Sequence, residues 1–268
     1  MLKDITLGQY FPGHSPIHRM DPRTKLILLV VYILTLFLAQ GWLSYGLMLL
    51  ILITVICISQ IPFKAILRGM KPLVMILVFT GILNLFFTKE GPTILRIWKL
   101  TITLGGLTRA VMMMARILML ITGTFLLTYT TSPIALTDGL ESLMGPLKKL
   151  HVPVHELSMM MCIALRFIPT LIEETDKIMS AQKARGADFE TGSLVDRAKA
   201  LVPILVPLFI SAFRRADELA TAMECRCYQG GEGRTKMKLL HYRRVDFSAF
   251  AAGAVMVAAV LLLRQMGL

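Results

Sequence analysis

Long apolar runs are the feature that most constrains the fold of this chain. A helix needs roughly 20 apolar residues to cross about 30 Å of hydrocarbon. Five runs approach that length, the second only if it begins near Leu43: residues 26–42, 47–58, 73–87, 107–129 and 247–263. With 55% hydrophobic and 17% charged residues, the chain is too apolar for an ordinary soluble domain. We expect an all-α polytopic membrane protein with about five transmembrane helices.

Charged residues are concentrated in residues 131–244. This region holds 16 of the 29 Lys and Arg and 13 of the 17 Asp and Glu. The net charge of +12 raises the question of nucleic acid. Elsewhere, however, basic residues flank apolar runs, and the sequence has no platform of basic and aromatic residues, so we expect no nucleic-acid partner. We therefore divide the chain into a cytoplasmic segment with transmembrane helices 1–4 (1–130), a cytoplasmic region (131–244) and a last transmembrane helix (245–268).

Lys and Arg in short loops orient the predicted spans, because such loops are enriched in positive charge on the cytoplasmic side. The N-terminal flank and the connector 59–72 are both rich in these residues, and the connector has no acid. We expect both segments and residues 131–244 in the cytoplasm, with the loop at 89–103 and the C-terminus outside. The orienting residues are Lys3, Arg19, Arg23 and Lys25 in the flank and Lys64, Arg68 and Lys71 in the connector.

The charged region has the pattern of two long amphipathic helices, over 155–185 and from 193 to about 228, because apolar residues recur at three- and four-residue steps. Pro169 either kinks the first helix or begins a second piece. Gly186 suits the helix end, where a left-handed residue is common. A Ser-Leu-Val-Asp pattern opens the second helix as a capping box with Asp in place of Glu.

Each predicted helix ends in an X-Arg-X sequence. An arginine at a helix C-terminus either neutralises the partial negative charge of its own carbonyls or projects beyond them to bind an acidic partner through two hydrogen bonds. Cys225 and Cys227 lie about 200° apart around a helix and cannot readily chelate one ion together, so we expect no metal site here. The residues are Ala184, Arg185 and Gly186 in the first sequence and Cys225, Arg226 and Cys227 in the second.

Several separate stretches, in order and over essentially the whole chain, resemble the transmembrane T component of energy-coupling factor (ECF) transporters. They are DPRTK at 21–25, ALRFIP at 164–169, AQKARG at 181–186, RADELA at 215–220, AMECRCY at 222–228 and GRT at 233–235. The resemblance implies the scaffold subunit of an ABC importer in the bacterial cell membrane, which takes up vitamins or other micronutrients. Besides the bilayer, it also implies two kinds of partner: two cytoplasmic ABC-type ATPases, and one or several membrane S components that capture substrate.

In the family resembled, the two X-Arg-X motifs are usually Ala-Arg-Gly and dock one on each ATPase. The first motif matches at Ala184, Arg185 and Gly186, and the second keeps Arg226 between Cys225 and Cys227. We transfer the docking role to both motifs. Because cysteine has a steric cost at positive φ that glycine lacks, the second helix either turns at position 227 or runs on toward position 230.

The sequence argues against enzyme and carrier functions. It contains no G-x-x-x-x-G-K-[ST] phosphate loop, so we expect that the chain does not hydrolyse ATP itself. The resemblance implies a non-catalytic subunit that binds no cofactor directly, with ATP and Mg used by the partner ATPases. None of the four acids outside residues 131–244, including Asp246, falls in the middle of a span, which disfavours a proton-coupled carrier. Arg116 in the fourth span either extends to the outer surface or makes an interhelical or partner contact.

Two further residue sets have competing interpretations. Met159, Met160 and Met161 either fill a core or face lipid, or form an adaptable platform for S components. His14 and His18, like His151 and His155, have a four-residue spacing that could bind metal, but a proline lies between the members of each pair and no further ligand completes either set. We therefore expect no metal there.

Overall fold

The computed structural model of the chain describes residues 10–87, 93–97, 100–189, 193–231 and 239–266. These residues contain ten α-helices and one antiparallel pair of strands. The strands β1 Thr93–Ile97 and β2 Leu100–Thr103 lie between α5 and α6. The helices are α1 Pro16–Arg19, α2 Pro22–Leu38, α3 Trp42–Ser59, α4 Phe63–Met70, α5 Val74–Phe87, α6 Leu104–Thr130, α7 Pro133–Leu143, α8 Val154–Ala184, α9 Leu194–Glu224 and α10 Arg244–Gln265. Short 3₁₀ segments, Lys71–Leu73 and Gly145–Leu150, follow α4 and α7.

The predicted all-α membrane fold is confirmed, with the short strand pair as an addition. Five helical segments of the described chain are long and apolar enough to cross a membrane: Trp42–Ser59, Phe63–Phe87, Leu104–Thr130, Val154–Ala184 and Arg244–Gln265. Four of them contain predicted spans. The second run, 47–58, lies within α3, which is long enough for a span because it begins at Trp42.

Two details of the spans differ from the expectation. The helix corresponding to the predicted span 26–42 is α2, which begins at Pro22 because Asp21 caps its first turn. It ends at Leu38, and Gly41 is already the N-cap of α3. Its 17 residues extend about 26 Å, close to the lower limit for a span. Conversely, α8 meets the length and composition of a span, and its predicted cytoplasmic location stays a prediction.

The chain forms two compact units, of which one comprises the described residues of Gly8–Leu140 and Leu240–Leu268. Its core is formed by α2, α3, α6 and α10. Gly253 lets α10 pack closely on α2, since a Cβ at this position would lie only 2.7 Å from Leu28. Small residues at such contacts are typical of helices packed in membranes. The buried core residues are Tyr32, Leu36, Ala39, Tyr45, Met48, Leu52, Met119, Met256 and Val260.

Two cations join α2 to α6 at opposite ends of their contact. The buried Nζ of Lys25 donates to the carbonyl of Thr130 at 2.9 Å, where α6 ends. Arg116 Nη2 donates to the carbonyl of Ala39 at 3.2 Å, where α2 ends. Each cation therefore neutralises the C-terminal carbonyls of the other helix. Along both helices the two contacts are 14 residues apart, which corresponds to about 21 Å.

Arg116 therefore makes the interhelical contact that was one of its two interpretations. Its guanidinium also lies 5.7 Å from the ring centroid of Phe37 and 5.6 Å from that of Tyr45. Asp246 is fully buried in the first turn of α10, where it accepts the backbone N–H of Asp21 at 2.9 Å. This acid thus holds the start of α10 to the start of α2.

The other unit, Glu141–Leu239, contains α8 and α9. Both helices have 31 residues and begin within one residue of the predicted positions. Pro169 lies inside α8 without dividing it, and Ser193 and Asp196 form the predicted capping box of α9. Each helix is held over its length by its remaining backbone bonds, so the loss of one N–H donor at a proline does not end it.

Candidate functional site

The first X-Arg-X sequence forms the C-terminal end of α8. The helix ends at Ala184, Arg185 has a φ of −86°, and Gly186 has a φ of +88°. The N–H groups of Gly186 and of the residue after it donate to the carbonyls of Lys183 and Gln182, both at 3.0 Å. This pair of bonds is a Schellman motif, in which a left-handed residue reverses the chain and satisfies the last carbonyls. Gly186 therefore ends the helix as predicted.

The second X-Arg-X sequence forms the same motif at the end of α9. The helix ends at Glu224, Cys225 has a φ of −59°, and Cys227 has a φ of +55°. The N–H of Cys227 donates to the carbonyl of Glu224 at 2.8 Å, and the next N–H donates to the carbonyl of Met223 at 3.0 Å. The alternative that α9 runs on toward position 230 is wrong, because these bonds close the helix at the arginine.

The two turns give the arginines equivalent positions. Arg185 directly precedes the left-handed Gly186, and Arg226 directly precedes the left-handed Cys227. All six residues of the two X-Arg-X sequences are exposed. In the part of the chain that the structure describes, neither guanidinium has an ion pair or side-chain hydrogen bond. Backbone N–H groups, not the arginine side chains, cap the two helices, which leaves the guanidinium donors available for an external acceptor.

A polar cluster joins α8 to α9 between these ends. Ser211 Oγ donates to Glu174 Oε1 at 2.5 Å, and Arg215 Nη2 donates to Glu174 Oε2 at 2.8 Å. The side chains of Glu174 and Arg215 are 23% and 34% exposed, so the charges remain partly hydrated. Such a pair contributes on the order of 0.5–1 kcal/mol. The cluster therefore fixes the register of the two helices more than it stabilises the unit.

The helices run in opposite directions across this cluster. Gly231, beyond the end of α9, packs against His155 at the start of α8, whereas the cluster joins the second half of α8 to the second half of α9. Arg185 lies eleven residues after Glu174, and Arg226 lies eleven residues after Arg215. With about 1.5 Å of rise per residue, each arginine is roughly 16 Å from the cluster along its helix. The two arginines lie on opposite sides of it.

The predicted methionine platform lies in the first half of α8. Met160 and Met161 are 54% and 46% exposed, and Met159 is half-buried. The two exposed methionines are therefore available for contact with lipid or another protein. Their role as an S-component surface stays a prediction.

Two of the four histidines considered as metal ligands, His155 and His18, have other contacts. His155 Nδ1 is 3.2 Å from Glu141 Oε1, and Ser158 Oγ donates to Glu141 Oε2 at 3.1 Å. His18 is within hydrogen-bond distance of Ser15 Oγ and of the carbonyl of Phe11. Among the described residues no group of three or more His, Cys, Asp or Glu could hold a metal ion. The contacts of His155 and His18 hold nearby segments of the chain together.

Sequence reasoning missed the importance of the Glu174 cluster. Glu174 was recognisable only as one of several charges on the polar face of the first helix, and Arg215 only as part of the RADELA stretch. Their pairing depends on the register between two helices that are separated in sequence, and no local pattern gives that register.

The GRT stretch at 233–235 lies outside the described residues.

Comparison with known proteins adds independent information. Residues 13–237 match the family model of cobalt transport proteins, CbiQ. Similar proteins are found in Thermosediminibacter oceani, 54% identical over 97% of this chain and 98% of the relative, and in Heliobacterium modesticaldum, 55% identical over 94% of each. A protein of Bacillus subtilis is 49% identical over 98% of this chain and 100% of its own length. All three are named energy-coupling factor transporter transmembrane protein EcfT.

Proposed function

The chain belongs to the family of energy-coupling factor transporter transmembrane proteins, and we propose that it transmits the motion of two ABC-type ATPases to a membrane S component. It is a multi-pass membrane protein and the transmembrane component of such a transporter. In the proposal, the ATPases use ATP and Mg, the S component captures a vitamin or another micronutrient, and this chain catalyses no reaction. The N-terminus and residues 131–244 would face the cytoplasm, where the ATPases are.

The equivalent ends of α8 and α9 are the observation that carries this proposal. Two exposed arginines occupy the same position of the same backbone turn, and their helices are capped without their side chains. An arginine held in this way presents a planar set of donors suited to a carboxylate or to the carbonyls of a partner. Two such ends fit two copies, or two related forms, of one kind of partner. We assign one ATPase to Arg185 and one to Arg226.

The arrangement of the helices supports a mechanical role. The arginines lie on opposite sides of the Glu174–Arg215 pair, at equal distances along their helices. If the contact at this pair is the pivot, displacement of either arginine turns its helix about the pair with a lever arm of roughly 16 Å. Continuous helices transmit such displacement better than a flexible loop would, since every turn is internally hydrogen-bonded. In the proposal, closure of the ATPases changes the angle between α8 and α9, and the bound S component follows this change.

Met159, Met160 and Met161 are the proposed contact for S components. An unbranched, polarisable side chain adapts to differently shaped surfaces, and two of the three are about half exposed. Replacing all three by alanine should reduce the competition between different S components for this chain without loss of ATPase assembly. Unchanged affinity for every S component would remove this part of the proposal.

Charge reversal at the arginines tests the proposal directly. Arg185→Glu together with Arg226→Glu should abolish copurification of the ATPases with the tagged chain, or leave ATP hydrolysis that no longer drives uptake in proteoliposomes. The like charge would repel an acidic acceptor, and the bidentate bonds would be lost. Arg166→Glu on α8 and Arg214→Glu on α9 are matched controls, because both arginines are exposed but lie within the helices. Wild-type assembly and uptake in the double variant, or an equal loss in the controls, would refute the docking assignment.

A further inference from the structure

We propose that α4 is a binding surface for the phosphate headgroups of anionic phospholipids such as phosphatidylglycerol. This inference is independent of the docking function of Arg185 and Arg226. It rests on α4, Phe63–Met70, and on Lys71, the residue that follows it. The surface contains three exposed cations and two exposed apolar side chains.

The three cations form one strip along the helix. Lys64, Arg68 and Lys71 follow one another at steps of four and three residues, which places them within about 60° of arc at about 100° per residue. All three are exposed. Within the described residues none of them has an acidic side chain or hydrogen-bond acceptor as partner. The strip is therefore an array of cations that are not neutralised by the described part of the chain.

The opposite face of α4 is packed against the protein. Ile66 is 2% exposed, and a Cβ at Gly69 would lie 2.8 Å from Tyr129 Oη and 2.9 Å from Phe125, both on α6. These contacts fix the rotation of α4 about its axis. Ile66 and Gly69 lie roughly 170° and 130° around the helix from the middle of the cationic strip. The cations therefore point away from α6.

An apolar strip borders the cations. Phe63 is 62% exposed and Leu67 is 49% exposed, and at a four-residue step they lie on one side of the cationic strip. A helix with adjoining apolar and basic strips is suited to the boundary between headgroups and acyl chains. α4 also lies at the start of the candidate span Phe63–Phe87, where a membrane surface would be. This combination fits an anionic lipid better than a free phosphate ion, which would leave the apolar strip in water.

A simpler interpretation gives the cations only the task of orienting the span, for which any Lys or Arg in the connector suffices. The two interpretations differ in what they require. Orientation needs only charge, whereas lipid binding needs the charges on one face, next to Phe63 and Leu67. A binding measurement on the correctly inserted protein therefore distinguishes them.

The test is a lipid titration of the purified full-length chain in detergent, followed by native mass spectrometry. Dioleoylphosphatidylglycerol is the probe, and dioleoylphosphatidylcholine is the zwitterionic comparison. Changing one of Lys64, Arg68 or Lys71 to Gln should weaken phosphatidylglycerol binding about fivefold, equivalent to ~1 kcal/mol per cation near an anionic surface. The triple variant should lose on the order of 100-fold, with phosphatidylcholine binding unchanged.

The controls separate this site from general charge effects. Lys148→Gln, Lys149→Gln and Lys199→Gln together remove three exposed cations from the other unit and should leave phosphatidylglycerol binding unchanged. An equal loss in that control, or full binding by the triple variant of α4, overturns the proposal. The single variants keep two cations to orient the span, so the test remains valid if the triple variant does not insert.

The apolar strip has its own test. Phe63→Ser with Leu67→Ser should also weaken phosphatidylglycerol binding, while excess inorganic phosphate should not displace the lipid from the unaltered chain. Unchanged binding by this double variant together with displacement by phosphate would show an anion site that does not recognise lipid. That combined result would contradict the assignment of the surface to the membrane.

Discussion

Replacing Cys227 by glycine should stabilise the end of α9. A residue other than glycine in the left-handed conformation, where Cys227 has a φ of +55°, costs roughly 1–2 kcal/mol. Glycine avoids this steric cost but loses about 0.5–1 kcal/mol more backbone entropy when it is ordered. The balance favours Cys227→Gly by about 0.5–1 kcal/mol. The equilibrium for opening of the turn should therefore fall roughly two- to fivefold.

Amide hydrogen exchange measures this opening in the full-length chain. The N–H groups of Cys227 and Tyr228 are bonded only while the turn is closed, so exchange in a peptide covering 223–228 should slow in the Cys227→Gly variant. Cys225→Ala is the control, because Cys225 already has a φ of −59° and the change relieves no backbone strain. Gly186→Ala should have the opposite effect at the first turn. Its Cβ would meet nothing within 4 Å, which leaves backbone strain as the cause.

Substitutions at Cys227 also test whether the turn is needed for the proposed docking of an ATPase. Cys227→Val places a β-branched residue where positive φ is strongly disfavoured, so it should distort the turn and reduce ATPase copurification although Arg226 is intact. Cys225→Val should keep the partner. If Cys227→Gly does not slow exchange and Cys227→Val still binds ATPases fully, the left-handed turn is not what positions Arg226, and the reasoning fails.

Two further predictions concern the polar contacts that join helices. Glu174→Gln, Arg215→Gln and the double variant should show a coupling of about 0.5–1 kcal/mol in thermal unfolding and lower uptake per ATP hydrolysed in proteoliposomes; no coupling in either measurement would remove the cluster from the mechanism. Lys25→Met should lower the free energy of unfolding by about 1–3 kcal/mol because it leaves the buried carbonyl of Thr130 without its donor, whereas an unchanged melting temperature in detergent would contradict this role.

The sequence predicted features that depend on local patterns. Apolar length identified α3, α5, α6 and α10, and three- and four-residue periodicity identified α8 and α9. The Ser193–Asp196 capping box and the turn at Gly186 were also predictable, because each depends on residues within one turn of a helix. The interior Pro169 was ambiguous, since a proline marks a possible helix boundary but does not decide whether neighbouring turns continue.

Contacts between distant segments were not predictable. Lys25 was read only as an orienting charge, yet it is buried and bonded to the end of α6. Arg116 had two interpretations, and only the antiparallel register of α2 and α6 decides between them. Glu174 and Arg215 meet for the same kind of reason. A cation or acid can be seen in a sequence, but its partner depends on helix packing that no local pattern specifies.

The turn at Cys227 shows why residue identity is a weaker guide to this site than backbone geometry. A left-handed cysteine costs roughly 1–2 kcal/mol, but the two backbone bonds of the turn, at 2.8 and 3.0 Å, each contribute about 0.5–1.5 kcal/mol. They can offset that cost, so the chain turns at the same position after Arg226 as after Arg185. Neither neighbouring cysteine supplies the donors of a guanidinium, however, and no backbone bond replaces them. The conformation therefore tolerates replacement of the glycine, whereas the proposed docking function requires the arginine.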